Sequence, residues 1–142
     1  MDYHVKKFSE LTTKELFDIA KLRIKVFVVE QNCAYQELDE LDEQAWHTWL
    51  QEDNEIVGYT RIIDKGETVT FGRVLVNPDY RRKNLGKKLL EETLNVIAGN
   101  YLDRPIIISA QAHLTEFYGA FGFKQTSDIY LEDDIPHIQM RK

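Results

Sequence analysis

The sequence has almost no cysteine and no long apolar run. Cys33 is the only cysteine among 142 residues, which excludes an internal disulfide and a cysteine-based metal cluster. We expect Cys33 to be a buried small hydrophobe rather than a nucleophile. No stretch approaches the roughly 18 apolar residues of a membrane span. A membrane-spanning segment is therefore not expected.

The N-terminal segment, MDYHVKKF, also lacks the apolar centre of a signal peptide, so we expect a cytoplasmic protein. The chain is 43% hydrophobic and 11% aromatic, which predicts a single globular domain over residues 1–142. The formal net charge is −6, from 18 basic and 24 acidic residues. That balance disfavours nucleic acid and anionic membranes as partners.

Lysine and arginine are missing from residues 26–60, where nine carboxylates occur. These are Glu30, Glu37, Asp39, Glu40, Asp42, Glu43, Glu52, Asp53 and Glu55. One interpretation is a solvated acidic surface. The other is that this acidic span attracts a cationic amine.

Local patterns predict the element order β-α-βββ-α-β-α-ββ. The predicted strands are residues 3–8, 46–50, 56–63, 68–76, 106–109, 128–131 and 137–140. The first predicted helix follows a capping box at Thr12 and Glu15 and runs to about Val28. The second spans 85–98, with Gly99 as its C-terminal cap, and the third spans 113–121. A strand, a crossover helix and a further strand make a parallel pair, so the predicted sheet is mixed.

Five of the eight residues from Arg81 to Lys88 are basic, at the start of the helix predicted over 85–98. The helix dipole disfavours cations there. Free N–H groups, basic side chains and the glycine at position 86 together predict a phosphate site, with a solvated basic turn as the alternative. The spacing excludes a Walker nucleotide loop.

Two segments resemble the GNAT superfamily of acetyl-CoA-dependent N-acyltransferases. Residues 74–90, VLVNPDYRRKNLGKKLL, are similar to its coenzyme A signature, Gln/Arg-x-x-Gly-x-Gly/Ala, with Arg81 first and Gly86 last. Asn84 stands where glycine is usual, and Arg82 replaces a frequent glycine. Residues 110–123, AQAHLTEFYGAFGF, resemble its C-terminal motif, with Gln111 in place of Asn and Tyr118 at the position of the general acid.

Three further stretches resemble one branch of the superfamily, the ElaA-like proteins. They are VFVVEQNCAYQELDELD at 26–42, AQAHL at 110–114 and EDDIPHIQM at 132–140. The resemblance implies an α/β (α+β) fold with a mixed, mostly antiparallel sheet of six to seven strands, whose central parallel pair splays apart.

The resemblance also implies a function and a cofactor site. The implied reaction transfers acetyl from acetyl-CoA to a primary amine by direct attack on the thioester, with no covalent enzyme intermediate. The implied cofactor-binding residues are Val74, Leu75, Val76, Arg81, Arg82, Lys83, Asn84, Leu85, Gly86, Lys87 and Gln111. A free N–H of Val74 or Leu75 would polarise the thioester carbonyl.

Tyr118 is the implied acid that protonates the departing thiolate. The base stays open between carboxylates, imidazoles and water, and we favour Glu30 or His113; the other candidates are Glu37 and His47. The four histidines are scattered, so no metal site is expected. The expected partner is a small-molecule or peptide amine, and a homodimer is an open alternative. A non-catalytic module that senses acyl-CoA is the alternative function.

Overall fold

The computed structural model describes the chain from residue 1 to residue 142, except for the side chains of residues 82 and 83. Its eight strands are β1 (Asp2–Lys7), β2 (Trp46–Glu52), β3 (Glu55–Asp64), β4 (Val69–Val76), β5 (Ile107–Gln111), β6 (Lys124–Gln125), β7 (Tyr130–Glu132) and β8 (Ile135–Arg141). Its α-helices are α1 (Thr13–Ile24), α2 (Leu85–Asn100) and α3 (Thr115–Gly119). A π-helix occupies Lys25–Glu30, and short 3-10 helices occupy Phe8–Glu10, Glu40–Glu43, Pro78–Lys83 and Ala112–Leu114.

The strands form two antiparallel sheets of four rather than one sheet of six to seven. The first has the order β1-β2-β3-β4, and in the second β8 pairs with β5, β6 and β7. The strand missed from the sequence is β6, whose two residues are too few to show a periodic pattern.

The two sheets meet at one isolated parallel bridge. It joins Val69 at the start of β4 to Ile106 just before β5, and the Val69 N–H donates to the Pro105 carbonyl at 3.0 Å. Within the described residues, no further bridge joins β4 to β5. The two strands therefore leave an open gap beyond this point.

A β-bulge interrupts β4 beside that gap. Tyr59 of β3 pairs with Leu75 and Arg61 pairs with Gly72, so two residues, Arg73 and Val74, stand opposite one residue of β3. Arg73 has a φ of 50°, in the left-handed region that non-glycine residues rarely adopt. A bulge leaves its extra residue outside the ladder and bends the strand, which increases the separation from β5.

The helices cover opposite faces of the sheets. Leu90 and Ile97 of α2 pack in one core cluster with Ile108 and Ile138 of the second sheet. Ile19 of α1 belongs to a second cluster on the other face of the first sheet. These clusters hold α1 and α2 on either side of the gap.

The first helix begins as predicted and ends differently. The capping box is confirmed: Glu15 N donates to Thr12 Oγ1 at 3.1 Å, and Thr12 N donates to Glu15 Oε1 at 2.9 Å. However, α1 ends at Ile24 and continues as a π-helix, with Gln31 N bonded to Val26 O at 3.2 Å. The apolar spacing of a π-turn differs too little from that of an α-turn to be read from the sequence.

Two smaller predictions were wrong. Helix α2 runs through Gly99 to Asn100, so Gly99 is not its C-terminal cap. Cys33 is partly exposed rather than buried, and its thiol lies 3.5 Å from the carbonyl oxygen of Asp133.

No helix within the described part of the chain has the length and apolar character needed to cross a membrane.

Candidate active site

A cleft of about 1190 Å³ occupies the gap between β4 and β5. It brings together predicted site residues that lie far apart in the chain. Those that line it are Glu30, Val74, Leu75, Val76, Arg81, Asn84, Leu85, Gly86, Lys87, Gln111, His113 and Tyr118. The side chains of Arg82 and Lys83, also predicted for the site, lie outside the described residues.

One end of the cleft is the turn from β4 into α2. Asn84 adopts φ 58° and ψ 27°, a left-handed geometry that glycine adopts freely and asparagine tolerates better than most residues. Its side chain makes no capping bond to α2, and the first turn of α2 carries no acidic residue. Within the described residues, the N–H groups of that turn therefore have no acceptor from the helix cap and keep their positive potential.

Arg81 and Glu30 face each other across this end of the cleft. Arg81 Nη2 donates to Glu30 Oε1 at 2.5 Å, and its Nε donates to the Val76 carbonyl at 3.2 Å. Both side chains are about two-fifths exposed, at 43% and 40%. Two residues expected to act separately, one on phosphate and one as a base, are thus paired with each other.

Gly86 lies in the first turn of α2, where the cleft narrows between two side chains. A Cβ built on it would lie 3.7 Å from the Phe117 ring and 3.8 Å from Val76 Cγ2, both ordinary contact distances. The surrounding protein therefore does not require glycine here. A methyl group would instead take up space inside the cleft.

Tyr118 stands at the buried wall of the cleft and is 5% exposed. Its ring packs against Phe117, Phe71 and Phe123 at centroid distances of 5.2, 6.3 and 6.1 Å. Burial raises the pKa of the Tyr118 hydroxyl to about 12. The group is therefore a neutral proton donor throughout the physiological pH range.

The two other cleft residues predicted near β5 differ in setting. Gln111 ends β5 and is half-buried, whereas His113 is exposed in the 3-10 helix Ala112–Leu114. Both line the cleft.

The polar cleft residues that were not predicted for the site include Ser109, Tyr130, Glu132 and His137. Ser109 comes from β5, Tyr130 and Glu132 from β7, and His137 from β8. The ElaA-like stretch 132–140 contains two of them, and that was the available signal.

Three of the nine carboxylates of the acidic span belong to a buried charge network with three arginines. Its members are Arg23, Arg61, Arg73, Glu37, Asp39 and Asp42. Arg23 lies 2.7 Å from both Glu37 and Asp42, and the side chains of Arg23 and Glu37 are 2% exposed. Arg61 lies 2.7 Å from Asp39, and Arg73 lies 3.0 Å from Glu37. These carboxylates are neutralised, so they cannot attract an amine as the sequence-based hypothesis required.

Two of the candidate bases lie away from the cleft lining: Glu37 belongs to this network, and His47 contacts the Asp42 backbone beside it. Glu37 bonds Arg23, Arg73 and the Tyr35 hydroxyl. His47 is fully buried: its Nε2 lies 2.8 Å from the Asp42 carbonyl, and its Nδ1 lies 2.7 Å from the Tyr59 hydroxyl. Since a carbonyl only accepts, Nε2 carries the proton and Nδ1 accepts from Tyr59. Glu37 and His47 are therefore placed less favourably for the role of base than Glu30 and His113, which line the cleft.

The setting of His47 predicts a pH-dependent stability. Burial lowers its pKa, and the charges of Arg23 and Arg61 lower it further against the opposing effect of Asp42. The unfolded chain therefore takes up a proton near pH 6.5 before the folded chain does, and stability falls as the pH drops below that value. His47→Gln, which keeps a donor for the Asp42 carbonyl, should remove up to about 1.4 kcal/mol per pH unit of this dependence.

Urea unfolding at pH 5, 6 and 7 measures the effect. His113→Gln is the matched control, because His113 is exposed and its loss should leave the slope as in the wild type. Equal slopes for the wild type and His47→Gln would contradict the prediction.

The chain belongs to the GNAT acetyltransferase family. The sequence profile of the Acetyltransferase (GNAT) domain matches residues 12–142, which is nearly the whole chain.

ElaA proteins are among the similar proteins, which confirms the resemblance to the ElaA branch seen in the sequence. ElaA of Escherichia coli is 40% identical over 139 residues, covering 94% of this chain and 91% of ElaA. Its crystal structure matches this one with a TM-score of 0.96 over 100% of this chain and 99% of that one, at 38% identity. An acyl-CoA N-acyltransferase from Pseudomonas aeruginosa matches with a TM-score of 0.95 and 42% identity, over 99% and 98% of the two chains.

Proposed function

We propose that the protein transfers an acetyl group from acetyl-CoA to a primary amine, by direct attack of the amine on the thioester. The observation that carries the proposal is the cleft itself. It runs between β4 and β5, with the uncapped start of α2 and the buried hydroxyl of Tyr118 both in its lining. The cleft therefore offers an anion-binding helix end and a proton donor to one bound molecule.

The turn from Arg81 to Lys87 would hold the pyrophosphate. The N–H groups at the start of α2 carry partial positive charge, and Arg81 and Lys87 add two cations. Arg81 would then exchange its contact with Glu30 for the phosphate. Arg82 and Lys83 would add charge, and Asn84 and Leu85 would shape the turn.

The pantetheine arm would lie along the bulged part of β4. Arg73 and Val74 interrupt the pairing with β3, and within the described residues no bridge joins β4 to β5 beyond Val69, so backbone groups on this edge of β4 lack a strand partner. Val74, Leu75 and Val76 line the cleft there, and Gln111 lines it from β5. An N–H of Val74 or Leu75 would polarise the thioester carbonyl and stabilise the oxyanion that forms when the amine attacks.

The departing thiolate would take its proton from Tyr118, whose pKa of about 12 keeps the hydroxyl protonated until then. Two of the bases favoured from the sequence, Glu30 and His113, line the cleft. Glu30 becomes free to act only when Arg81 turns to the phosphate. A water molecule is the third candidate.

A turnover screen tests the proposal. The protein is incubated with acetyl-CoA and a panel of alkylamines, polyamines, amino acids and peptides, and CoA release and acetylated product are measured. We expect CoA release that depends on at least one amine. Stabilisation by acetyl-CoA without CoA release would favour the alternative, an acyl-CoA-sensing module.

Gly86→Ala tests the cofactor site separately. The added methyl group makes only ordinary contacts with Phe117 and Val76, and alanine favours a helix over glycine by roughly 1 kcal/mol. The melting temperature of the free protein should therefore stay the same or rise. The methyl group narrows the cleft at the first turn of α2, so the Kd for acetyl-CoA should rise on the order of tenfold, about 1.4 kcal/mol.

Gly99→Ala is the matched control, since it makes the same change in the same helix with open space around the new methyl group. It should leave the Kd unchanged in a calorimetric titration. Tight binding by Gly86→Ala would place the phosphates elsewhere.

A further inference from the structure

A polar cluster occupies the part of the cleft bounded by β5, β7 and β8. The Ser109 hydroxyl hydrogen-bonds the Tyr130 hydroxyl and donates to Glu132 Oε1 at 3.3 Å. His137 Nε2 lies 3.5 Å from Glu132 Oε2, and the Tyr130 ring stacks on the imidazole. The proposed cofactor contacts use none of these four side chains.

The tautomer of His137 follows from its backbone contact. Nδ1 lies 2.7 Å from the carbonyl oxygen of Ile135. A carbonyl only accepts hydrogen bonds, so Nδ1 carries a proton and the neutral ring has its lone pair at Nε2. Nε2 of the neutral His137 ring and Oε2 of the Glu132 carboxylate, 3.5 Å apart, are therefore both hydrogen-bond acceptors. Neither atom carries a proton that it could donate to the other.

A protonated primary amine matches this pair. It has three N–H donors on one compact cation, so it can donate to both acceptors at once. Within the described residues, no lysine or arginine side chain is paired with Glu132, whose side chain is half exposed. In contrast, the carboxylates of the buried charge network already have arginine partners.

The cluster also lies on the correct side for an acceptor. Ile108 and Ala110 of β5 are buried in the core beneath α2, so Ser109 and Gln111 face the opposite side. His137 stands directly opposite Gln111 in the ladder and shares that side. An amine held there approaches the gap from the face opposite α2, whose first turn carries the proposed phosphate site.

We propose that Glu132 and His137 bind the ammonium group of the acceptor and that His137 Nε2 is the base. This assignment rests on the proposed function. One ammonium N–H bond breaks, its electron pair stays on nitrogen, and the proton goes to Nε2 beside the Glu132 carboxylate. The lone pair attacks the acetyl carbon, and the C–S bond breaks with its pair on sulfur. Sulfur takes the Tyr118 proton, the second amine proton restores Tyr118, and His137 releases its proton to water.

The test compares a charged and an uncharged acceptor of similar shape, benzylamine and aniline, in the full-length protein. Glu132→Gln should raise the KM for benzylamine on the order of tenfold and leave the KM for acetyl-CoA unchanged. His137→Asn keeps a donor near the position of Nδ1 for the Ile135 carbonyl and removes Nε2. It should lower kcat for benzylamine on the order of 10²-fold and have little effect on aniline, which is already neutral and needs no base before it attacks.

Glu67→Gln is the matched control, because it makes the same chemical change at an exposed carboxylate that lies outside the cleft lining. Its kcat and both KM values should be those of the wild type. Melting temperatures within a few degrees of the wild type show that each variant is folded. Equal losses for benzylamine and aniline, or a parallel rise in the KM for acetyl-CoA, would overturn the assignment. If no amine in the panel is acetylated by the wild type, the proposed function fails and the assignment with it. Turnover with wild-type constants in both variants would overturn the assignment alone.

Discussion

Tyr118→Phe is expected to lower kcat for acetyl transfer by about 10²-fold or more, with the KM for acetyl-CoA nearly unchanged. The phenylalanine ring keeps the contacts with Phe71, Phe117 and Phe123, so the wall of the cleft retains its shape. What is lost is the hydroxyl, which burial keeps protonated with a pKa of about 12. The thiolate then has to leave without a proton from the protein.

Steady-state kinetics with varied acetyl-CoA measure this effect. Tyr101→Phe is the matched control, because its hydroxyl accepts a hydrogen bond from Trp46 Nε1 at 3.0 Å and lies outside the cleft lining. It should leave kcat unchanged. Wild-type kcat in Tyr118→Phe would exclude Tyr118 as the acid.

Arg23→Met is expected to lower the free energy of unfolding by about 3–5 kcal/mol. Arg23 is buried and bonds Glu37, Asp42 and the backbone carbonyl of Glu37. Burial alone would raise the pKa of Asp42, but hydrogen bonds from Arg23 and the Asp39 backbone hold it below its ordinary value. Methionine fills similar space but leaves two buried carboxylates without their shared partner.

Urea unfolding at pH 7 measures the loss. Lys14→Met, on the same helix, breaks an exposed ion pair with Asp18, in which the lysine side chain is 80% exposed. The control should cost no more than about 0.5 kcal/mol. If the two variants were equally stable, the buried network would not be a main source of stability.

Features that depend on a few residues close together in the sequence could be predicted from local patterns. The capping box at Thr12 needed only neighbouring residues. The two motifs that resemble the GNAT superfamily, around Arg81–Gly86 and around Tyr118, are each short, and residues of both line one cleft. The bulge at Arg73 could not be read, because its left-handed conformation is held by contacts with Glu37, 36 positions away.

The same limit explains the two misjudged groups of charges. Glu37, Asp39 and Asp42 looked like a solvated or steering surface, since nothing local pairs them with arginines 14 to 36 positions away. His137 and Glu132 come together through the pairing of β7 with β8, and they face Ser109 only because β5 pairs with β8 as well. These are properties of the topology.

The double role of Glu37 has a consequence for how this scaffold can diverge. One carboxylate holds Arg23 of α1 and Arg73 of the bulge, so a change in that wall of the cleft also costs folding stability. Changes in strand β7 should cost less folding stability, because its three residues are exposed and, within the described residues, its backbone pairs only with β8. New acceptor preferences can therefore accumulate in the β7–β8 hairpin while the opposite wall stays fixed, and the protein can change its substrate without first losing its fold.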